Sequence, residues 1–281
     1  MINTIKALHP KNILIALDAI DDEHPSYKLS KKQALRRVFA ILACVSVCLL
    51  LIHYMKLLST FRASLTLLSH TLGQSGNDIE NQLRATQFFS LISYIWWTLW
   101  HIIGYLILPF LVIKYILRES IIDMGWRLAD TSKHWRGYAL LISPILFFIF
   151  LVSFRGDFLN HYPFYRLASR SWLDLITWEC LYLIQFLSLE FFFRGFIVNG
   201  LRPALGANAI WIMCVPYLMI HLPKLWLEAT GAILFGLFLG ILAIRSRSIW
   251  GGFLVHAGIA VTMDVASLIK QGAFPTKLLP F

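Results

Sequence analysis

Residues 172–198 read WLDLITWECLYLIQFLSLEFFFRGFIV, and this stretch decides the fold. It is long enough to cross a membrane, since a helical span takes about 20 mostly apolar residues. Inside it, Glu190 and Arg194 stand four residues apart, a spacing that brings two side chains onto one face of a helix. Charged groups in hydrocarbon are costly and are rarely kept without a partner and a use. We therefore predict a membrane-spanning helix with Glu190 at the centre of the function.

The composition extends this prediction to the whole chain. Of the 281 residues, 58% are apolar and only 14% are charged, whereas a soluble domain is about a quarter charged. The net charge of +10 is compatible with nucleic-acid binding, but the basic residues stand mostly at the ends of apolar segments and in the N-terminal arm. Membrane topology and anionic lipid explain that distribution better. We predict a polytopic membrane protein with lipid as a partner and no nucleic acid.

Seven apolar stretches predict an all-α, polytopic membrane helix bundle with about seven transmembrane helices; an eighth span or a re-entrant segment stays open. The stretches are 38–57, 88–117, 139–154, 172–198, 207–221, 229–244 and 249–269. We divide the chain into a cytoplasmic N-terminal arm (1–37), N-terminal transmembrane helices and loops (38–171), a core (172–269) and a C-terminal tail (270–281).

The orientation follows from the lysines and arginines near the ends of the spans. The N-terminal arm is rich in them, which predicts a multi-pass protein of the cytoplasmic (inner) membrane with its N-terminus in the cytoplasm. Arg155, Arg166 and Arg170 fall on the outer side under the seven-span count and are the main exception. The same count puts His221 near the outer face and Glu190 nearer the inner face, so the fifth span is expected to be tilted, re-entrant or differently bounded.

A few other ionisable side chains lie within or beside the later spans: Glu179, His221, Glu228, His256 and Asp264. Glutamate can accept a proton from water, and histidine can orient that water, bind a metal or stabilise an oxyanion. A glutamate, an arginine and two histidines that converge from three helices would suit hydrolysis of a peptide bond within the membrane. Each residue also has a structural explanation: an ion pair between helices, a helix-end or bundle histidine, or, for Glu228, a favourable charge at a helix N-terminus.

The order of these residues resembles the CAAX protease and bacteriocin-processing family of intramembrane endopeptidases (CPBP, also called Abi). The family signature is Glu-Glu-x-x-x-Arg, then Phe-x-x-x-His, then His-x-x-x-Asn, on successive membrane helices. In this chain the three motifs read Leu189-Glu-Phe-Phe-Phe-Arg194, Tyr217-Leu-Met-Ile-His221 and His256-Ala-Gly-Ile-Ala260. The turn Arg245-Ser-Arg-Ser-Ile-Trp-Gly-Gly252 precedes the third motif, and the resemblance covers about residues 172–269.

The resemblance implies a catalytic set of Glu190, Arg194, His221 and His256, with Tyr217, Glu228 and Asp264 in supporting positions. Members are described as metal-dependent or as glutamate proteases, and the sequence leaves both open. If a divalent metal such as zinc binds, the expected ligands are His221, His256 and Glu190. Three positions depart from the family pattern. Leu189 replaces the first glutamate, and Ala260 replaces the asparagine, a loss for which Asp264 is a candidate substitute. Tyr217 replaces the phenylalanine, a milder change that adds a hydroxyl.

The leading hypothesis is an intramembrane endopeptidase that hydrolyses a peptide bond in a membrane-associated protein or peptide (CAAX-type processing). A water activated by glutamate and histidine would be the nucleophile. The alternative is a catalytically inactive family member, a membrane scaffold or immunity-type protein that binds peptides, which Leu189 and Ala260 favour. A small-solute transporter is the third class, although the repeated halves and broken spans typical of transporters are not evident in the sequence.

Overall fold

The structure, a computed structural model, describes residues 10–23, 27, 29–224 and 226–281. The regular elements of these residues are all helical, which confirms the all-α prediction. In chain order the α-helices are α1 (Pro10–Glu23), α2 (Lys31–Met55), α3 (Leu58–Thr71), α4 (Asp78–Ala85), α5 (Phe89–Ile102), α6 (Leu108–Leu111), α7 (Trp135–Val152), α8 (Gly156–Leu159), α9 (Trp172–Glu190), α10 (Gly200–Leu205), α11 (Ala209–His221), α12 (Trp226–Ser246) and α13 (Trp250–Gln271). Wider π-helical turns form Ile103–Ile107, Val112–Leu117 and Phe191–Asn199, and 3-10 turns form Thr131–His134 and Gly206–Asn208.

Six helical segments of the described chain are long and apolar enough to cross a membrane. They are Lys31–Met55, Phe89–Leu117, Thr131–Val152, Trp172–His221, Glu228–Ser246 and Trp250–Gln271. The prediction of about seven spans agrees with this set, because the predicted fourth and fifth stretches both lie in Trp172–His221. A turn at Gly206, whose φ of +59° favours glycine, separates them. The protein is therefore a multi-pass membrane protein.

The chain folds into two compact units, each made of three separate segments. Unit 1 comprises Met1–Val45, Pro109–Leu141 and Glu190–Val255. Unit 2 comprises Ser46–Leu108, Ile142–Leu189 and His256–Phe281. Unit 1 contains the whole of α11 and α12 and most of the lysines and arginines of the chain.

Small residues allow α11 and α12 to pack closely within unit 1. The sequence Gly236-x-x-x-Gly240 places two glycines on one face of α12. A Cβ at Gly236 would lie 3.0 Å from the Tyr217 ring, and one at Gly240 would lie 2.8 Å from Ile210 Cγ2. Both neighbours belong to α11, so this face positions the helix that carries the second motif.

Polar contacts attach the N-terminal arm to the other segments of unit 1. Arg37, at the start of α2, donates two hydrogen bonds of 2.7 Å to the Glu119 carboxylate and a third to the Gly200 carbonyl. The Asp21 carboxylate at the end of α1 accepts a 2.7 Å hydrogen bond from the backbone N–H of Ala207. Other basic positions of the predicted arm, Lys6 and Lys28, lie outside the described residues.

Unit 2 has an aromatic core around Trp178 of α9. The Trp178 ring stacks on Tyr182 with centroids 4.8 Å apart, and the buried Ala260 belongs to the same hydrophobic cluster. One turn earlier in α9, the Asp174 carboxylate accepts hydrogen bonds from Arg170, Ser171 and Tyr165. These contacts fix the first half of α9, the helix that ends at Glu190.

Candidate active site

Glu190 and Arg194 form a buried ion pair at the end of α9. Arg194 Nη1 lies 2.9 Å from Glu190 Oε1, and both residues are 0% exposed. Phe191, Phe192 and Phe193, between them in the chain, are also fully buried. A lone charge in such surroundings would be very costly, so each charged group requires the other. The pair lies where the α-helix widens into the π-helical segment Phe191–Asn199. π-Helical turns are rare in proteins overall, but many of those that occur are at functional sites.

The ion pair is linked to the second motif through Tyr217 of α11. Arg194 Cζ lies 4.4 Å from the centroid of the Tyr217 ring, a cation–π distance. One turn further along α11, the His221 ring contacts the Tyr217 ring, with the two centroids 4.5 Å apart. The first two motifs therefore form one continuous set of contacts inside unit 1.

The hydrogen bond of His221 determines which of its nitrogens carries the proton. Nδ1 lies 2.7 Å from the Tyr217 carbonyl oxygen, which can only accept, so Nδ1 is the donor. In the neutral imidazole the lone pair is then on Nε2, the form that accepts a proton or binds a metal. With 13 residues, α11 is about 20 Å long, shorter than a hydrocarbon core of about 30 Å. A helix of that length cannot cross the whole hydrocarbon core. The predicted position of His221 near the outer face assumes that this segment does cross it.

The first turn of α13 closes another side of the ion pair. A Cβ at Gly252 would overlap Glu190 Oε2 and lie 2.9 Å from its Cδ. A Cβ at the preceding Gly251 would overlap the Tyr138 ring of α7, whose hydroxyl lies 3.0 Å from Ser246 Oγ. The family resemblance gave no role to the two glycines and did not include Tyr138. Two successive glycines inside a helix, against their poor helix propensity, were the available signal.

The residues of the third motif lie in unit 2, as does Glu179. His256 is 8% exposed and stacks on Phe186, with centroids 5.5 Å apart and an interplanar angle of 8°. Asp264, proposed as a substitute for the missing asparagine, accepts a 2.7 Å hydrogen bond from Trp178 Nε1. Both carboxylate oxygens of Glu179 are buried and have no hydrogen-bond partner among the described residues.

The remaining predicted positions have ordinary surroundings. Glu228 lies in the first turn of α12, 3.5 Å from Lys224 Nζ, as expected for a favourable charge at a helix N-terminus. Leu189 is buried and supplies no second carboxylate. In the described part of the chain, no three His, Cys, Asp or Glu side chains are close enough to hold a metal ion. The metal predicted from His221, His256 and Glu190 therefore stays a prediction.

The fold and site define a class: a multi-pass helical membrane protein with a buried glutamate–arginine pair that contacts a histidine-bearing helix. Residues 170–262, about a third of the chain, match the family model described as type II CAAX prenyl endopeptidase Rce1-like, which confirms the resemblance recognised from the motifs. The matched segment includes all three motifs. At the family level this supports a CAAX-type intramembrane protease. No curated protein and no solved structure matches the chain.

Proposed function

We propose that this protein is an intramembrane endopeptidase that hydrolyses a peptide bond in a membrane-associated protein or peptide. The observation that carries the proposal is the continuous contact from Glu190 through Arg194 and Tyr217 to His221. It joins two of the three family motifs in surroundings from which water is largely excluded. Such surroundings strengthen the electrostatic effects on which hydrolysis depends.

In the proposed mechanism, Glu190 is the general base. Its carboxylate removes a proton from a water molecule while His221 Nε2 orients that water by accepting its second hydrogen. The hydroxide oxygen attacks the carbonyl carbon, and the carbonyl oxygen becomes an oxyanion. From its place in the third motif, His256 is proposed as a further catalytic residue. Glu190 then returns the proton to the amide nitrogen, so the C–N bond breaks and leaves a carboxylic acid and an amine. Arg194 touches Glu190 and holds its carboxylate in place.

The proposal gives Glu190 both proton transfers, because Leu189 stands where the family commonly has another glutamate. A single carboxylate can serve as base and then as acid, since the proton it accepts is the one that the leaving amine needs. A divalent metal such as zinc, if bound, would polarise the carbonyl and the water, and Glu190 and His221 of unit 1 are the residues proposed to hold it. The mechanism above does not depend on it.

We place the protein in the cytoplasmic membrane with its N-terminus in the cytoplasm. The concentration of lysine and arginine in unit 1 supports this orientation. The substrate would then be reached from the lipid or from the cytoplasmic face. The family description refers to prenylated C-termini, and we leave the lipid group of the substrate unspecified.

The test is cleavage of a membrane-delivered peptide library by the purified protein. Wild type is compared with Glu190→Gln and His221→Ala, with Asp157→Asn as a control because Asp157 lies in an exposed pair with Arg155. We expect cleavage by wild type and by the control, and its loss in the other two. A parallel measurement of bound metal, and of activity after chelation, separates the metal-dependent from the glutamate mechanism. Cleavage that survives Glu190→Gln would contradict the assignment of the base.

A peptide-binding scaffold without catalysis is the second candidate. Its supporting observation is that Leu189 and Ala260, two of the departures from the motifs, are both buried and that neither side chain offers a polar atom. Specific peptide binding without cleavage under any lipid or metal condition would favour this candidate. For the transporter class, solute flux into sealed vesicles that survives Glu190→Ala would be the supporting result.

A further inference from the structure

Two successive glycines, Gly251 and Gly252, form what we call the glycine cradle at the start of α13. Each admits a side chain from a different helix: Tyr138 of α7 approaches Gly251, and Glu190 of α9 approaches Gly252. Both glycines are buried, and neither has a positive φ. The chain therefore uses glycine at these positions for the space that a missing Cβ leaves and not for an unusual backbone conformation.

The space at Gly252 is taken up by the charged end of Glu190. Oε2 and Cδ of the carboxylate both lie inside the volume that a Cβ would need. The carboxylate cannot swing into solvent, because Glu190 is fully buried and its Oε1 is held by Arg194. The first turn of a helix also favours a negative charge, since its N–H groups have no partner within the helix.

We propose that Gly252 is a positioning residue that sets the location of the Glu190 carboxylate. Any larger residue would push the carboxylate away from α13 by about 1 Å to restore ordinary van der Waals separation. Gly251 has the matching role for Tyr138, whose ring then borders the same turn. The inference rests on the proposed function for its catalytic consequence, whereas the steric part stands without it.

The steric part is tested by thermal unfolding of the full-length protein in detergent micelles. We expect Gly252→Ala to lower the unfolding midpoint in wild type. In a Glu190→Ala/Arg194→Met background, which removes the overlapping atoms and leaves no buried charge unpaired, it should raise the midpoint slightly, because alanine favours a helix more than glycine does. Gly231→Ala is the matched control: it is also a glycine within a helix, but its added Cβ would meet nothing within 4 Å. A midpoint that Gly252→Ala lowers equally in both backgrounds would overturn the proposal.

The catalytic part is tested by kinetics on any peptide that wild type cleaves. Gly252→Ala is expected to lower kcat by about 10- to 100-fold with KM nearly unchanged, the size of effect that follows a displacement of about 1 Å. Glu190→Asp, one methylene shorter, should lower kcat in wild type but raise it in the Gly252→Ala background. The double variant also relieves the overlap if Gly252→Ala alone fails to fold.

The outcomes separate the two proposals. An aspartate that is equally harmful in both backgrounds would overturn the positioning role, because a merely structural defect at Gly252 would not be rescued by a shorter acid. Steric coupling in the unfolding data without cleavage by wild type would overturn the proposed function and leave the cradle standing. Cleavage by wild type without steric coupling would do the reverse.

Discussion

Replacing Arg194 by methionine should destabilise the protein strongly, because it leaves the Glu190 carboxylate buried without its partner. Both residues are fully buried and 2.9 Å apart. Two unit charges about 4 Å apart attract by about 4 kcal/mol at an effective dielectric constant of about 20. Removing one member of a buried pair typically costs about 3–5 kcal/mol, and we expect a loss of unfolding free energy in that range. The contact with Tyr217, worth about 2 kcal/mol when desolvated, favours the upper end.

The assay is reversible unfolding in mixed micelles, followed by tryptophan fluorescence and by circular dichroism. The double variant Glu190→Leu/Arg194→Met removes both charges and should regain most of the lost free energy, because apolar replacement of a buried ion pair is often neutral or stabilising. Arg155→Met is the control, since the Arg155–Asp157 pair is exposed and should contribute about 1 kcal/mol or less.

Two results would refute this reasoning. If Arg194→Met were as stable as wild type, the carboxylate would have to be solvated or protonated, and the pair would not hold it. If the double variant were as unstable as Arg194→Met, the cost would come from lost packing of the arginine side chain and not from an unpaired charge.

Three further predictions concern other contacts. Tyr217→Phe keeps the ring under the guanidinium and should change the unfolding free energy little, whereas Tyr217→Leu should lower it by about 1–2 kcal/mol in the same assay. Hydrogen bonds from Lys133 and Arg247 lower the pKa of Asp130 from 3.8 to about 2. The stability that the Asp130 carboxylate contributes is therefore present above about pH 4 and lost as the pH falls towards 2. Asp130→Asn should reduce the change of the unfolding midpoint with pH across that range. Arg37→Met removes a bidentate salt bridge and a bond to a backbone carbonyl; it should cost about 2–3 kcal/mol and speed proteolysis of the N-terminal arm.

The sequence allowed much of the site to be predicted wherever the evidence lay within one helix. The four-residue spacing of Glu190 and Arg194 predicted their contact, and the structure has it. The same spacing in the second motif put Tyr217 and His221 on one face of α11. Asp264 was harder: the sequence offered it as a substitute for the missing asparagine, but nothing in α13 indicates that Trp178 would donate to it.

The membrane spans could also be predicted from patterns within single helices. The prediction was least certain where the chain leaves the α-helical form. Apolar length predicted the membrane helices, because every backbone group in lipid must be satisfied within its own helix. The boundary between the fourth and fifth stretches was less certain, since the chain stays helical through the π segment and turns only at Gly206. The short α11 that follows is a consequence of where that turn falls.

By itself, then, the sequence determined a helical membrane protein, the resemblance to a family and the Glu190–Arg194 pair, because apolar length and residue spacing act within single helices. Only the tertiary structure decided that Arg194 lies on Tyr217 and that the Glu190 carboxylate fills the space left by Gly252. Contacts between helices depend on how far each helix is shifted and rotated against its neighbour, and no local pattern specifies that. A missing Cβ is informative only once the side chain that occupies its place is known.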